Sequence, residues 1–258
     1  MSVTIDLSGK GAIVFGVANH RSIAWAIAES LHEAGAHITL TYQNERLRES
    51  VDKLAASLER VTTVECDVLT PASLEAAFNH AAAQPAPLAV AVHSVAFARR
   101  EDLDGGFSAV DQEGFRTALE VSAFSLIPIT RLAAQHMPGG GSVVTMSFHA
   151  ADKVYPGYNI MGVAKAALEN EVKQLAYEYG PQGLRVNAIS AGPLNTLSAR
   201  GIHGFTDMQK NHAERAPLKR NITQEEVGSS ALFLASDMAS GITGTVLYVD
   251  AGYHIMGV

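Results

Sequence analysis

Seven short runs rich in Val, Ile, Ala and Leu, separated by longer stretches of helical period, constrain this chain more than any other feature. The runs read as strands at Gly11–Gly16, His37–Tyr42, Val61–Cys66, Leu88–His93, Ser142–Ser147, Arg185–Ser190 and Val246–Val249. Helical patterns fall between them, at Ile23–Ala34, Glu45–Leu58, Pro71–Ala83, Asp111–His136, Tyr158–Tyr179 and Thr223–Ala235. Strands alternating with helices build βαβ units and a parallel sheet. Several of the runs are continuously apolar, as strands covered on both faces are. The predicted fold is α/β: one Rossmann-type, doubly wound domain over residues 1–258, its seven-stranded parallel sheet carrying helices on both faces. Ligands of such sheets bind outside the carboxyl ends of the strands.

Local signals sharpen this frame. Thr70 before Pro71 predicts a capping hydroxyl ahead of a first-turn proline, and Thr223 with Glu226 predicts a capping box. Pro128, inside a long helical pattern, predicts a kink. Residues 194–221 fit neither period and read as a lid or binding loop beside the site.

Composition narrows the function. With 47% hydrophobic and 17% charged residues the chain can bury a large core, and a formal charge of −7 opposes nucleic acid as a partner. Cys66 is the only cysteine, so no intrachain disulfide and no cysteine-based metal cluster is expected. The ten histidines show no H-E-x-x-H pattern, and no metal is expected. The N-terminal segment lacks the pattern of a signal peptide, and no run of eighteen or more apolar residues occurs. These features predict a cytoplasmic protein without a membrane span.

The first strand leads into Gly16-Val17-Ala18-Asn19-His20-Arg21-Ser22-Ile23-Ala24. A glycine at a strand end lets backbone approach a diphosphate, and the next helix N-terminus offers free N–H groups. Ser22 reads either as part of that turn or as a plain helix cap. The second strand ends in Thr41-Tyr42-Gln43-Asn44-Glu45-Arg46. Gln43 can hydrogen-bond an adenosine or its ribose; Arg46 either meets a 2′-phosphate, against the neighbouring Glu45, or begins a solvated helix. Asp67 after the third strand reads as a contact to adenine or as a helix-capping carboxylate. Tyr158 and Lys165, seven residues apart on a helix, share one face at a spacing of about 10 Å along its axis. They read either as a pair contacting one extended ligand or as a solvated face. As a pair, the lysine can hold ribose hydroxyls while its charge helps the phenol donate. Ser147 and Ser190 lack the G-x-S-x-G turn of a hydrolase nucleophile.

Together these segments resemble the short-chain dehydrogenase/reductase superfamily, and within it the divergent branch of bacterial, NADH-dependent enoyl-[acyl-carrier-protein] reductases. The resemblance extends through His93-Ser94-Val95-Ala96-Phe97-Ala98, Tyr158-Asn159-Ile160-Met161, Arg185 to Pro193 and Gly241-Ile242-Thr243-Gly244. Most of the superfamily carries Tyr-x-x-x-Lys, which would place the tyrosine at position 161; here 161 is methionine and the tyrosine is Tyr158. The resemblance implies reduction of trans-2-enoyl thioesters with NADH, the last step of the fatty-acid elongation cycle. It implies catalysis by Tyr158 and Lys165, and a cofactor site of Gly16, Ser22, Ile23, Gln43, Asp67, Val68, Val95, Lys165, Leu194 and Thr196. It places Phe97, Ala98, Tyr158, Met161, Phe205 and Met208 on the substrate, and implies acyl carrier protein as partner and a homotetrameric assembly. Phe148 stands where some relatives have a second tyrosine, and Asn195 where arginine is common. The alternatives are a short-chain carbonyl reductase and a non-catalytic NAD-binding regulator.

Overall fold

The first apolar run forms β1 (Gly11–Phe15), whose side chains divide between two cores: Ala12 and Val14 face one, Ile13 and Phe15 the other. The computed structural model, which describes residues 4–202 and 204–257, repeats this division across a sheet of seven parallel strands. In chain order β1 is followed by α1 (Ile23–Glu33), β2 (His37–Tyr42), α2 (Glu45–Ala55), β3 (Val61–Glu65), α3 (Pro71–Ala82), β4 (Leu88–His93) and the short α4 (Arg100–Leu103). Then come α5 (Gln112–Leu119), α6 (Leu126–His136), β5 (Gly141–Ser147), α7 (Ile160–Tyr179), β6 (Leu184–Ala191), α8 (Phe205–Arg215), α9 (Gln224–Ala235) and β7 (Val246–Val249). The strand order is β3-β2-β1-β4-β5-β6-β7. Helices α1, α2 and α9 cover one face through Trp25, Ile27, Leu31, Val51, Val227 and Leu234. Helices α3, α6 and α7 cover the other through Phe78, Leu126, Ile129, Leu168 and Val172. The order reverses between β1 and β4, so the connections there diverge and open a crevice at the strands' carboxyl ends.

Several local expectations need correction. The long helix carries a π turn just upstream of Pro128, Glu120–Phe124, where Ser125 N–H donates to the Glu120 carbonyl 3.2 Å away, five residues back. Pro128 has no N–H to offer the Phe124 carbonyl, and the helix widens into the π turn ahead of it. By length and composition Gln112–His136 could cross a bilayer, although no run of eighteen apolar residues announces it. In this fold half of its most apolar window is buried, against α3 and α7. The Thr70 hydroxyl does not cap α3; it donates instead to Asp67 Oδ2, 3.4 Å away. The box at Thr223 is present, with Glu226 N–H donating to Thr223 Oγ1 at 3.3 Å and Thr223 N–H to Glu226 Oε2 at 2.8 Å. Residues 194–221 are not structureless: they hold a 3₁₀ turn, Ser198–Gly201, and α8.

Candidate active site

The site begins where β1 ends. Gly16 has φ +97°, and a Cβ there would sit 2.0 Å from the Ser94 carbonyl oxygen. Only glycine lets the ends of β1 and β4 approach this closely. The Ser22 hydroxyl turns back into the same connection and accepts the N–H groups of Ala18 (3.0 Å) and Asn19 (3.1 Å). It stands at the start of α1 without capping it by its side chain.

A cleft of about 1080 Å³ opens from this point across the carboxyl ends of the strands. Its β1–β3 side carries Gly16, Ser22, Ile23, Gln43, Asp67 and Val68, and its centre carries Val95, Phe97 and Ala98. Tyr158, Met161 and Lys165 close the far side, with Leu194, Thr196, Phe205 and Met208 above them. All sixteen residues singled out from the sequence therefore border one space. Asp67 also has a local duty: its Oδ1 accepts Leu69 N–H at 3.0 Å and shapes the entry to α3. Gln43 is exposed at the end of β2, its amide open to a ligand.

Tyr158 reaches the cleft by a different route from the one helical spacing predicts. α7 starts at Ile160, so Tyr158 precedes the helix, in a turn where its N–H donates to the Tyr155 carbonyl at 3.1 Å. Asn159 adopts φ +33°, and its side-chain amide donates to the carbonyls of Leu103 (3.1 Å) and Gly105 (3.2 Å). That tether fixes the turn against α4. Phe148 packs on the Tyr158 ring, centroids 5.0 Å apart. Burial pushes the phenol above its ordinary range, so it stays protonated and able to donate.

Lys165 is 4% exposed, and its Nζ donates to the Met146 carbonyl at 2.7 Å. Burial pulls the ammonium down to about 8, and Glu169 opposes that pull. Beneath it, fully buried His93 bridges Thr145 Oγ1 (2.7 Å) and Ser125 Oγ (2.8 Å); burial, with the nearby Lys165 charge, lowers it to about 3 and keeps it neutral. Buried Ser122, in the π turn, grips the backbone of Phe97: it accepts the N–H at 2.9 Å and donates to the carbonyl at 3.1 Å. Sequence reasoning passed over His93, Ser122, Ser125 and Asn159 as working parts. Only the motifs at 93–98 and 158–161 drew attention to two of these positions. Among the described residues no group of three His, Cys, Asp or Glu side chains is placed to hold a metal ion.

The arrangement combines a dinucleotide-sized crevice at the switch point, a protonated phenol, a buried ammonium and an apolar wall. Comparison with known proteins agrees. The family model described as enoyl-(acyl carrier protein) reductase matches residues 16–254. An NADH enoyl-[acyl-carrier-protein] reductase of Bacillus cereus is 47% identical over 253 residues, covering 97% of this chain and 99% of the relative. One from Nostoc is 46% identical over 256 residues, covering 98% and 99%. Among solved structures, the Bacillus cereus reductase with NADP+ and indole naphthyridinone superposes with a TM-score of 0.96 at 46% identity, covering 99% of this chain and all of the other. The Anaplasma phagocytophilum reductase in complex with NAD gives 0.94 at 41% identity, covering 100% and 98%.

Proposed function

This chain belongs to the enoyl-[acyl-carrier-protein] reductases that use NADH, and on that premise we propose which of its residues perform the reaction. The enzyme reduces trans-2-enoyl thioesters to saturated acyl thioesters in fatty-acid synthesis. NADH, when bound, supplies a hydride to the β-carbon. The residues present fit that cofactor: Gly16 leaves room that a Cβ would fill, Ser22 shapes the turn, and Lys165 keeps ammonium protons beyond the one given to Met146. Gln43, Asp67, Val68 and Val95 extend the same wall, and Leu194 and Thr196 cover it.

As the β-carbon is reduced, negative charge gathers on the thioester oxygen, and a proton then reaches the α-carbon to complete the saturated thioester. Tyr158, neutral and held by Phe148, donates a hydrogen bond to that oxygen, stabilisation worth about 2.7–4 kcal/mol for one such donor. Lys165 orients the cofactor ribose. Phe97, Ala98, Met161, Phe205 and Met208 line the acyl pocket, with Ser122 fixing the Phe97 backbone. The observation carrying this reading is the convergence of Tyr158 and Lys165 on one cleft at the switch point. The whole chain is read as one reductase domain, with residues 194–221 as its substrate-binding segment.

Acyl carrier protein delivers the substrate. The working form is a cytoplasmic homotetramer, its assembly supported by the exposed apolar side chains of Phe107, Phe115, Phe124, Leu218 and Ile255. Sedimentation velocity tests it. For the chemistry, the decisive assay follows NADH oxidation with crotonyl and longer enoyl thioesters beside NADPH and keto-thioester controls. Turnover of the keto-thioester alone would favour a carbonyl reductase, and no turnover at all a regulatory NAD-binding protein.

A further inference from the structure

Ser147 ends β5 inside the cleft and is 5% exposed, yet no step above uses it. Its hydroxyl donates to Glu169 Oε1 at 2.5 Å. Glu169 lies on α7 four residues after Lys165, so the two side chains neighbour each other on one helix face. Met146, the residue before Ser147, accepts the Lys165 ammonium through its carbonyl at 2.7 Å. Two consecutive residues of β5 thus hold two neighbouring charges of α7, the cation by a backbone oxygen and the anion by a hydroxyl.

A half-buried carboxylate beside an active-site lysine costs solvation, which a single serine hydrogen bond offsets only in part. We propose that Glu169, held by Ser147, is a positioning residue whose charge keeps the Lys165 ammonium in place and protonated for the cofactor ribose. The inference rests on the assignment of Lys165 to the cofactor.

The surrounding charges leave Glu169 this role. Toward Lys165 face His93 from β4, neutral and buried, and Glu169 itself, while Tyr158 lines the same cleft from the turn before α7. Toward Glu169 face Lys173 one turn further along α7, Asp152 from the turn after β5, and Tyr248 from β7. Burial pulls Lys165 toward neutrality, and Glu169 supplies the opposing charge. Burial also raises the Glu169 carboxyl, while Ser147 and Lys173 lower it and Asp152 raises it.

The test measures NADH dissociation constants by calorimetry, from about pH 6 to about pH 9.5, spanning the range where a perturbed lysine titrates. Glu169→Gln keeps the acceptor for Ser147 but removes the charge. It should shift the alkaline loss of NADH affinity down by about one pH unit and leave affinity at the acid end unchanged. Glu169→Asp should restore the wild-type profile. Ser147→Ala, which releases the carboxylate from its place beside Lys165, should shift the limb the same way by a smaller amount. It carries the test if Glu169→Gln does not fold. A Glu169→Gln profile superposing on wild type, or weakened equally at every pH, overturns the proposal. If Lys165→Ala leaves NADH affinity and its pH profile intact, the assignment of Lys165 itself falls. A Lys165→Ala loss beside an unmoved Glu169→Gln limb isolates the failure to Glu169.

Discussion

The ring of Phe148 rests 5.0 Å from the ring of Tyr158, inclined at 59°, and holds a phenol that no helix carries. Tyr158→Phe should lower turnover by about 10²- to 10³-fold while leaving NADH affinity near wild type, because it removes a donor used mainly in the transition state. Phe148→Ala should also lower turnover, by freeing the ring, with NADH affinity again little changed. Single-turnover kinetics and calorimetry check both. A Tyr158→Phe enzyme that loses NADH as badly as Lys165→Ala would reverse the assigned roles.

Preference for NADH over NADPH is expected from Gln43 and from Glu45, which stands before Arg46 and pairs with Arg48 at 3.4 Å. The measurement is kcat/KM with the two cofactors in competition. A larger value with NADPH would make Arg46 the phosphate partner, and Arg46→Ala would then abolish the advantage.

Residues 194–221 should become protected when the site fills. Phe205 and Met208 reach the cleft from the first turn of α8, whereas most of the helix is polar and, apart from His212, incompletely buried. Limited proteolysis there should slow only when NAD and a substrate analogue are both present. An unchanged cleavage rate would mean that the segment does not act as a lid.

Carrier-linked substrates should depend on the basic side chains around α8. Arg220 is engaged by Glu226 at 2.6 Å, and Lys210 stands 4.0 Å from Glu214, a long exposed pair, so Lys210, Arg215 and Lys219 form the group to meet an acidic carrier. Reversing those three charges should lower kcat/KM for a carrier-linked enoyl substrate chiefly at low salt. The coenzyme A ester of equal length should change much less. Equal losses with both would assign the cluster to the structure of the segment.

Acid stability should carry the signature of His93. Folding lowers this imidazole from its ordinary 6.5 to about 3, so between those values the unfolded chain binds a proton that the folded chain does not. Stability should therefore fall as pH drops through that window. His93→Gln should flatten that slope in urea unfolding while costing stability overall. Parallel slopes for the two proteins would show that His93 does not titrate on unfolding.

The strands were readable because both faces of this sheet are covered, which writes them as continuous apolar runs such as Leu88–His93. The cleft came with them, since a parallel sheet with one reversal of order has one such crevice. α8 was not readable: FTDMQKNHAER buries only His212 and has no apolar stripe. The turn holding Tyr158 depends on Asn159 reaching Leu103 and Gly105, more than fifty positions away, so spacing on an ideal helix pointed to the right neighbours through the wrong geometry. Ser147 and Glu169 meet across 22 positions for the same kind of reason.

The π turn at Glu120–Phe124 makes the length of the chain matter more than its letters. Ser122 meets Phe97 and Ser125 meets His93 because one extra residue is accommodated between α5 and α6. Losing a single residue there would let the helix run on as α and rotate α6 by about 100° relative to α5, carrying one serine away from the strand end it serves. Drift in this segment should therefore run through substitutions and almost never through insertions or deletions. A library of one-residue deletions across α5–α6 should show its sharpest loss of activity at these five positions.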